Sequence, residues 1–266
     1  MNLLTIIDQY LHEDVMIAFS GGVDSTLLLK MAVEASKNYH THVYAVTIQT
    51  ALHSVMEADE AKRIAEELGA IHNVIHVDEL EGAGIENNPV DRCYLCKKYM
   101  FTKVKELAHS LGIFTILEGT NADDLKQYRP GIKAIKELGL HSPLLEANMT
   151  KKEIRELAGT YDLKAANKPS SPCLATRFPY HTLLNYEEMR KVEKIEDYLH
   201  ACGFYNVRAR IHNDLVRLEI DQDAFMKCMD YRQEIVFFIK ELGYDYVTLD
   251  LEGFRSGSQD IKLEEK

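Results

Sequence analysis

Residues 18–26 read Ala-Phe-Ser-Gly-Gly-Val-Asp-Ser-Thr, and they decide the fold of the chain. They follow an apolar run at residues 15–17 and precede three leucines at residues 27–29, an order that predicts a buried strand, a tight turn and a helix. Such a turn gathers backbone N–H groups at a helix N-terminus, where an anion such as phosphate binds well. The predicted phosphate site takes these residues from the turn: Ser20, Gly21, Gly22, Asp24, Ser25 and Thr26.

The residue types in this turn fit phosphate chemistry. Gly21 and Gly22 allow a sharp turn and a close approach to a ligand, while the hydroxyl groups add hydrogen-bond donors. Asp24 is understandable beside a phosphate if Mg²⁺ bridges the two. The stretch lacks the lysine and the glycine spacing of a Walker A loop. It resembles the Ser-Gly-Gly-x-Asp-Ser loop of the N-type ATP pyrophosphatases, which cleave ATP between the α and β phosphates. The alternative is an ordinary glycine-rich turn with a capping residue.

The composition limits the class of protein. With 266 residues, 46% of them hydrophobic, the chain has enough apolar material for one large domain and a smaller one. We find no apolar run of about 18 residues and no basic N-terminal region, so we expect a cytoplasmic protein without a membrane segment. A net charge of −11 argues against nucleic acid as the main partner. Five cysteines favour metal, cluster or catalytic use over a disulfide framework.

Strands and helices alternate along the first part of the chain, which predicts an α/β fold with a doubly wound parallel sheet. The segment 142–146 is predicted to be a short edge segment, residues 150–158 a helix with a capping box from Thr150 to Glu153, and residues 224–242 one helix. Residues 167–179 contain three prolines and form an irregular loop, which is often a working part. After it, a helix-strand-strand-helix-strand order predicts a smaller α+β domain. We therefore expect a nucleotide-binding domain at 1–182 and a domain for substrate binding or oligomerisation at 183–266.

A second polar turn, at residues 118–124, follows the fourth predicted strand. In the pyrophosphatase family a Gly-Thr-Asn stretch followed by an aspartate lies across the sheet from the phosphate loop and helps to hold Mg²⁺ and phosphates. The alternative is a helix cap followed by an exposed helix. The resemblance implies that Asp124 joins Asp24 as a magnesium ligand. The further nucleotide-binding candidates are Thr47, Gly119, Thr120 and Asn121.

Cys93 and Cys96 stand three residues apart at the start of a predicted helix, so their thiols share one face. The neighbouring lysines and the helix dipole favour thiolate forms. Such a pair is compatible with a zinc half-site, a redox pair or two packing cysteines. Cys173, in the proline-rich loop, is a third thiol with Arg177 nearby to stabilise its thiolate.

Arg208 and Arg210 alternate on one predicted strand, so both guanidinium groups point to the same face. Two such forks fit a phosphate group. The alternative is a solvated strand face with cross-strand partners such as Glu219.

Three segments, at residues 88–97, 118–124 and 169–177, follow the phosphate loop in an order that resembles the LarE family. That resemblance implies an ATP-dependent sulfur transferase acting in nickel-pincer nucleotide biosynthesis, which serves lactate racemase maturation. In the implied reaction, a carboxylate of pyridinium-3,5-biscarboxylic acid mononucleotide is adenylated, pyrophosphate leaves, and sulfur displaces AMP to give a thiocarboxylate. The resemblance also implies a sulfide donor and a homo-oligomer such as a hexamer.

Members of the family differ in their sulfur source. In some, the cysteine equivalent to Cys173 gives up its own sulfur in a single turnover. Here Cys93, Cys96 and Cys173 together suit a [4Fe–4S] cluster with one open iron that holds hydrosulfide, and we expect this cluster besides ATP and Mg²⁺. The alternatives are sacrifice of Cys173, a zinc site, a tRNA-thiolating enzyme with the same loop, and a nucleotide-sensing protein without turnover.

Overall fold

The computed structural model describes residues 2–50, 52, 55–126, 130–164, 173–255 and 258. The first part of the proline-rich loop, at 167–172, lies outside the described residues, as do residues 165 and 166. The chain divides into two compact units, the first formed by Met1–Ile85 and Asp91–Ser171 and the second by Glu86–Val90 and Pro172–Lys266. Within the described ranges, no helix combines the length and the apolar character needed to cross a bilayer.

The first unit is built on a parallel sheet, as the sequence predicts. Its strands are β1 (Val15–Ala18), β2 (Val43–Gln49), β3 (Ile71–His76) and β4 (Thr115–Leu117). Their order in the sheet is β3-β2-β1-β4, and Val15 pairs with Val43 on one side and Thr115 on the other. The carboxyl ends of all four strands therefore meet at one edge, where ligands of such sheets bind.

Alternate residues of β1 enter two apolar cores, one on each face of the sheet. Val15 and Ile17 pack into the first core and Met16 into the second, and all three are fully buried. Burial on both faces is the reason why the strand is a continuous apolar run. The first core also takes residues from α1 (Leu3–Tyr10), α2 (Val23–Ser36), α3 (Val55–Leu68), α7 (Pro143–Glu146) and α8 (Lys151–Thr160). The second takes residues from α5 (Arg92–Ser110) and α6 (Gly131–Leu138), while α4 (Glu79–Ala83) follows β3.

The second unit is a small α+β structure, also as predicted. Its elements in chain order are α9 (Tyr186–Ala201), β5 (Val207–His212), β6 (Leu215–Ile220), α10 (Phe225–Asp230), α11 (Arg232–Glu241) and β7 (Tyr246–Leu249). β5 and β6 form an antiparallel hairpin whose turn places Asn213 at φ 55°, and β7 runs parallel to β6. A short 3₁₀ turn, Leu174–Arg177, precedes α9 and packs on α9 and β5.

Two local predictions are wrong and one is confirmed. Residues 143–146 form α7 instead of an edge segment, because Pro143 fits the first position of a helix, and only His141 pairs with Leu117. Residues 224–242 form two helices with a break at Tyr231. The expected capping box of α8 is confirmed, since the Thr150 side chain accepts from the Glu153 N–H and the Glu153 carboxylate accepts from the Thr150 N–H.

The division between the units falls between residues 171 and 172, earlier in the chain than the boundary that we expected between residues 182 and 183. Contacts with residues 86–90 explain the difference. The fully buried Asn88 donates from Nδ2 to the carbonyl oxygens of Phe178 (3.1 Å) and Pro179 (2.7 Å). The Leu184 N–H donates to the Glu86 carbonyl at 2.7 Å. These bonds hold the chain that follows Cys173 within the second unit.

We expect Asn88→Ala to lower the stability of the second unit in urea unfolding. Asn148→Ala is the matched control, because both asparagines have a left-handed backbone (φ 46° and 54°) while Asn148 is exposed. The two variants share the backbone strain, and only Asn88→Ala removes two side-chain hydrogen bonds to backbone carbonyl groups of the second unit. That difference should cost about 1–3 kcal/mol more for Asn88→Ala. Equal losses in both variants would contradict this account of the boundary.

Candidate active site

The turn between β1 and α2 has the backbone geometry of an anion-binding loop. Gly21 adopts φ 72°, in the left-handed region, and a Cβ built on it would lie 3.4 Å from the Cβ of Ala61. Gly22 is the N-cap residue of α2, with φ −74° and ψ 162°. It has no side chain that could accept from the N–H groups of the first turn of this helix. The N–H groups at the start of α2 are therefore oriented for an anion above the loop.

Ser20 and Ser25 hold the loop in this shape through their hydroxyl groups. Ser25 Oγ donates to the Gly22 carbonyl (3.1 Å), accepts from the Ser20 N–H (3.3 Å) and lies 3.2 Å from Ser20 Oγ. Ser20 Oγ in turn accepts from the Gly22 N–H at 3.3 Å. Thr26 is buried beneath the loop, and among the described residues its hydroxyl has no hydrogen-bond partner.

Asp24 is the meeting point of three chain segments. It forms an ion pair with the ammonium group of Lys151, the first residue of α8. It also accepts from Asn121 Nδ2 at 3.4 Å. A Cβ built on Gly119 would lie only 3.2 Å from the Cβ of Asp24 and 3.3 Å from the Ser25 nitrogen. The structure thus brings the phosphate loop and the Gly-Thr-Asn turn together.

Asn121 also orders the turn after β4. Its Oδ1 accepts from the backbone N–H groups of Asp123 (3.0 Å) and Asp124 (3.3 Å), and its own N–H donates to Asp124 Oδ2 at 3.1 Å. The Lys126 ammonium and the Lys151 N–H hold the pKa of the Asp123 carboxyl below its usual value. Asp124 is therefore hydrogen-bonded within the turn, three residues after Asn121, which contacts Asp24.

Thr120 and Thr47, two predicted nucleotide ligands, are hydrogen-bonded to other residues of the protein. Thr120 Oγ1 donates to Glu118 Oε2 (2.7 Å), and the Thr120 N–H donates to Glu118 Oε1 (3.1 Å). Thr47 Oγ1 donates to the Phe19 carbonyl (2.9 Å) and lies 2.8 Å from His72 Nε2, which must donate to it. Burial lowers the pKa of His72, in keeping with a neutral ring that carries its proton on Nε2. Both threonine hydroxyls are thus committed within the protein.

Sequence reasoning missed Lys151 and Glu118. The capping box predicts that Lys151 begins a helix, but nothing local predicts that this helix reaches Asp24. Glu118 is only 4% exposed and also accepts from the Ser142 hydroxyl, while Lys97 Nζ lies 3.8 Å from its Oε2. Glu118 therefore joins the end of β4 to α7 and to α5, the helix that carries Cys93 and Cys96.

The cysteine pair lies in the first turns of α5. Cys93 is exposed and Cys96 is partly exposed. The adjacent Tyr94 donates to Glu137 Oε2 at 2.7 Å, so α6 anchors this end of the helix. A Cβ on Gly131 would lie 2.7 Å from Lys97 Cδ and 3.4 Å from the Cys93 carbonyl oxygen, so α5 and α6 approach each other closely at this glycine.

In the second unit, the partly exposed Cys173 directly precedes the 3₁₀ turn. The buried Arg177 forms a two-pronged ion pair with Glu196 (2.8 and 2.6 Å) and donates from Nη1 to the Cys173 carbonyl at 3.3 Å. Arg210 forms a similar pair with Glu219 (3.1 and 2.9 Å) and donates to the Thr176 carbonyl at 2.6 Å. The forks of Arg177 and Arg210 are therefore filled by carboxylates.

Arg208 differs from these two arginines. It is buried, it donates to the Val207 carbonyl at 2.6 Å, and its guanidinium lies 5.0 Å from the centre of the Phe254 ring. None of the described carboxylates forms an ion pair with it. Burial, with a further effect of the nearby Arg177, lowers the pKa of Arg208 to about 10. Arg208 is thus a buried cation that remains charged at neutral pH.

Among the described residues, no group of three or more His, Cys, Asp or Glu side chains is arranged as a metal site. A magnesium ion that arrives with ATP needs only one or two carboxylates, because phosphate oxygens and water complete its shell. Asp24 fits that requirement, since it is the acidic residue in the first turn of α2, directly after the loop.

Comparison with known proteins places these features in context. The family model of the PP-loop domain matches residues 1–170. A pyridinium-3,5-bisthiocarboxylic acid mononucleotide synthase from Lactiplantibacillus plantarum is 39% identical over 249 residues, covering 94% of this chain and 90% of that protein. An uncharacterized protein from Synechocystis sp. is 36% identical over 244 residues, covering 91% and 90%. The tRNA-specific 2-thiouridylase MnmA from Rickettsia felis is 26% identical over 208 residues, covering 64% and 56%.

We expect Lys151→Gln to weaken the binding of Mg·ATP by about tenfold or more, since a hydrogen bond to a charged group is worth roughly 1.5–3 kcal/mol. Calorimetric titration with a non-hydrolysable ATP analogue measures the effect. Lys152→Gln is the control, because its side chain is 85% exposed and pairs only at the surface with Glu156. It should change the affinity by less than about twofold. Equal affinities in the two variants would exclude a direct role for Lys151.

Proposed function

The chain belongs to the PP-loop family and, within it, to the LarE family of ATP-dependent sulfur transferases, and from this premise we propose that it converts a carboxylate of pyridinium-3,5-biscarboxylic acid mononucleotide into a thiocarboxylate. One observation carries this proposal on the structural side. The phosphate loop, the Gly-Thr-Asn turn and helix α8 converge on Asp24. The loop brings N–H donors, Asp24 a carboxylate for Mg²⁺ and α8 the cation Lys151.

The first step activates the substrate carboxylate. A carboxylate is a poor electrophile because its leaving group would be oxide. Attack of its oxygen on the α-phosphorus of ATP gives an acyl adenylate and releases pyrophosphate. The loop from Ser20 to Ser25 offers N–H groups to the phosphates, and Lys151 can move from Asp24 to the departing pyrophosphate when Mg²⁺ takes its place. Fixed positive groups of this kind stabilise the charge that develops on the leaving group.

The second step brings sulfur to the acyl carbon. In the sacrificial route, the Cys173 thiolate attacks, AMP leaves, and a thioester forms. Loss of the Cα proton and cleavage of the Cβ–S bond then release the thiocarboxylate and leave dehydroalanine at residue 173. The proton passes to a solvent base, and the electron pair of the broken bond stays on sulfur. This route consumes one ATP and one substrate molecule and takes its sulfur from the chain itself.

In the other route, which the presence of three cysteines favours, Cys93, Cys96 and Cys173 would hold a [4Fe–4S] cluster. The donor chemistry fits, since three thiols are the ligands that such a cluster requires, and two of them lie on neighbouring turns of α5. When bound, the cluster would supply hydrosulfide from its open iron and spare the protein. The mass of the intact protein after one turnover separates the two routes.

The phosphate of the mononucleotide is assigned to Arg208. The guanidinium groups of Arg177 and Arg210 already bind Glu196 and Glu219. Of the two arginines predicted to bind the phosphate, Arg208 and Arg210, this leaves Arg208. Arg208 supports the assignment because it is a buried cation without a carboxylate partner among the described residues. Its pKa of about 10 keeps it charged at neutral pH, and an anion would compensate the charge.

A tRNA-thiolating activity is a weaker candidate. The relative from Rickettsia felis carries that name, but its match is limited to 64% of this chain. The net charge of −11 also opposes binding to a polyanion. Assembly into a homo-oligomer stays a prediction, supported by exposed Phe237, Tyr246 and Leu251 in the second unit.

We expect AMP and pyrophosphate to form from ATP only in the presence of the pyridinium mononucleotide. Cys173→Ser should keep the release of pyrophosphate, since adenylation does not use the thiol, and should form no thiocarboxylate. Cys202→Ser, which removes another partly exposed cysteine, is the control and should form thiocarboxylate normally. Separation of the nucleotides and products by chromatography measures both steps. AMP formation that depends on tRNA instead would favour the thiouridylase reading.

The sulfur source is tested by intact-protein mass before and after one turnover, on protein purified without oxygen. If Cys173 is sacrificed, the chain loses the mass of one H₂S, and peptide mapping places dehydroalanine at residue 173. If a cluster supplies the sulfur, the purified protein is brown, turns over repeatedly with added sulfide, and keeps its mass. Cys96→Ser should abolish activity only in the second case.

A further inference from the structure

The backbone carbonyl of Cys173 accepts from three donors. The Thr176 N–H donates to it at 3.0 Å and the Thr176 hydroxyl at 2.8 Å. Arg177 Nη1 donates to it at 3.3 Å and to Thr176 Oγ1 at 2.8 Å, so the guanidinium also holds the hydroxyl in place. A carbonyl oxygen has two lone pairs, so three donors, one of them cationic, are more than a neutral peptide group needs. The arrangement suits an oxygen that carries negative charge during the reaction.

Such a charge arises when the Cα proton of Cys173 is removed. Loss of this proton leaves an electron pair on Cα, which delocalises onto the carbonyl oxygen of the same residue as an enolate. The pair then forms the Cα–Cβ double bond while the Cβ–S bond breaks. The electrons of that bond leave with the sulfur, and hydroxide or another solvent base takes the proton. The carbonyl oxygen of Cys173 is therefore where donors would lower the barrier.

We propose that Thr176 and Arg177 form an oxyanion hole for the enolate of Cys173, and that they catalyse the elimination that releases sulfur from this residue. The proposal rests on the sacrificial route of the proposed function. It assigns a chemical role to two residues of the turn that neither bind the nucleotide nor carry the sulfur.

The surrounding contacts hold these donors in place. Arg177 gives two N–H groups to Glu196, which also accepts from the Ala209 N–H at 2.9 Å. Both glutamate oxygens are thus occupied, and Glu196 is a positioning residue that fixes the direction of the guanidinium. At the other end of the turn, Arg210 binds the Thr176 carbonyl at 2.6 Å. The turn is fixed on both sides before the charge develops, as preorganised stabilisation requires.

The 3₁₀ form of the turn places both donors of Thr176 on the carbonyl oxygen of Cys173. In a 3₁₀ turn the N–H of residue 176 reaches the carbonyl of residue 173, three residues earlier. The hydroxyl of Thr176 then lies on the same oxygen as its N–H. In an α-helical turn the N–H of residue 177 would take that place, and Thr176 would supply one donor fewer.

The first experiment needs neither ATP nor substrate. A dibromide reagent that alkylates a cysteine twice turns the thiol into a cyclic sulfonium, which eliminates to dehydroalanine when the Cα proton is lost. The full chain is treated, and the rates of elimination at Cys173 and at the exposed Cys93 are measured by peptide mass spectrometry. We expect elimination at Cys173 to be faster, and Thr176→Val to slow it by about tenfold or more, since one donor to an oxyanion typically contributes 10²–10³ in rate.

Two comparisons keep this result interpretable. Thr248→Val is the matched control in the same unit, because its hydroxyl donates to the Val216 carbonyl away from the turn. It should leave the rate at Cys173 unchanged, and the rate at Cys93 should be unchanged in both variants. Arg177→Lys keeps a cation beside Glu196 but loses the fork, and it should also slow elimination. Equal elimination rates at Cys173 in wild type, Thr176→Val and Arg177→Lys would overturn the proposal.

The second experiment follows one turnover with ATP and the pyridinium mononucleotide by intact mass. In Thr176→Val the thioester adduct on Cys173 should accumulate, because its formation does not use the carbonyl oxygen while its breakdown does. A general structural defect would instead reduce adduct formation as well, and that result would count against the oxyanion hole. If wild type forms neither adduct nor dehydroalanine, the sacrificial route fails, whereas the sulfonium experiment still decides the role of the donors.

Discussion

The close approach of three chain segments at Asp24 is the constraint on which the first unit depends. Gly119 must lack a side chain there, because a Cβ would lie 3.2 Å from the Cβ of Asp24. The carboxylate is then held between the amide of Asn121 and the ammonium of Lys151. Since Asp24 stands in the first turn of α2, its position fixes the direction in which the loop N–H groups point. The end of β4 and the start of α8 therefore shape the phosphate site without belonging to the loop.

The second unit depends on charge balance instead of close approach. Among the described residues of the second unit, three arginines, at 177, 208 and 210, are buried together with two glutamates, at 196 and 219. Two of the arginines are fully paired, and removing one partner of such a buried pair typically costs about 3–5 kcal/mol. The third, Arg208, has no carboxylate within ion-pair distance among the described residues, and burial together with the nearby Arg177 lowers its pKa to about 10. A binding site for an anionic substrate is the arrangement in which this charge becomes useful.

Local patterns predict much of the fold, because each depends on neighbours in sequence. The apolar run before Ser20 predicts β1, and the Thr150–Glu153 capping box predicts the start of α8. Contacts between distant residues escape such reasoning. The pairing of Lys151 with Asp24 joins residues 127 positions apart, and the commitment of Thr47 to Phe19 and His72 depends on strand order. The alternating arginines on β5 are visible in sequence, but only the fold shows that a carboxylate fills one fork.

The position of Cys173 at the start of a 3₁₀ turn has a chemical consequence for a residue that gives up its sulfur. Its backbone is extended (φ −45°, ψ 135°), so its carbonyl points into the turn, towards the N–H groups that follow. The acidity of the Cα–H bond depends on that carbonyl, whereas nucleophilic attack depends on the thiol. A turn that binds the oxygen and leaves the side chain partly exposed can therefore promote elimination without hindering the attack. In a helix interior, the same carbonyl would face a single neutral N–H group, and elimination would lack the cationic donor Arg177.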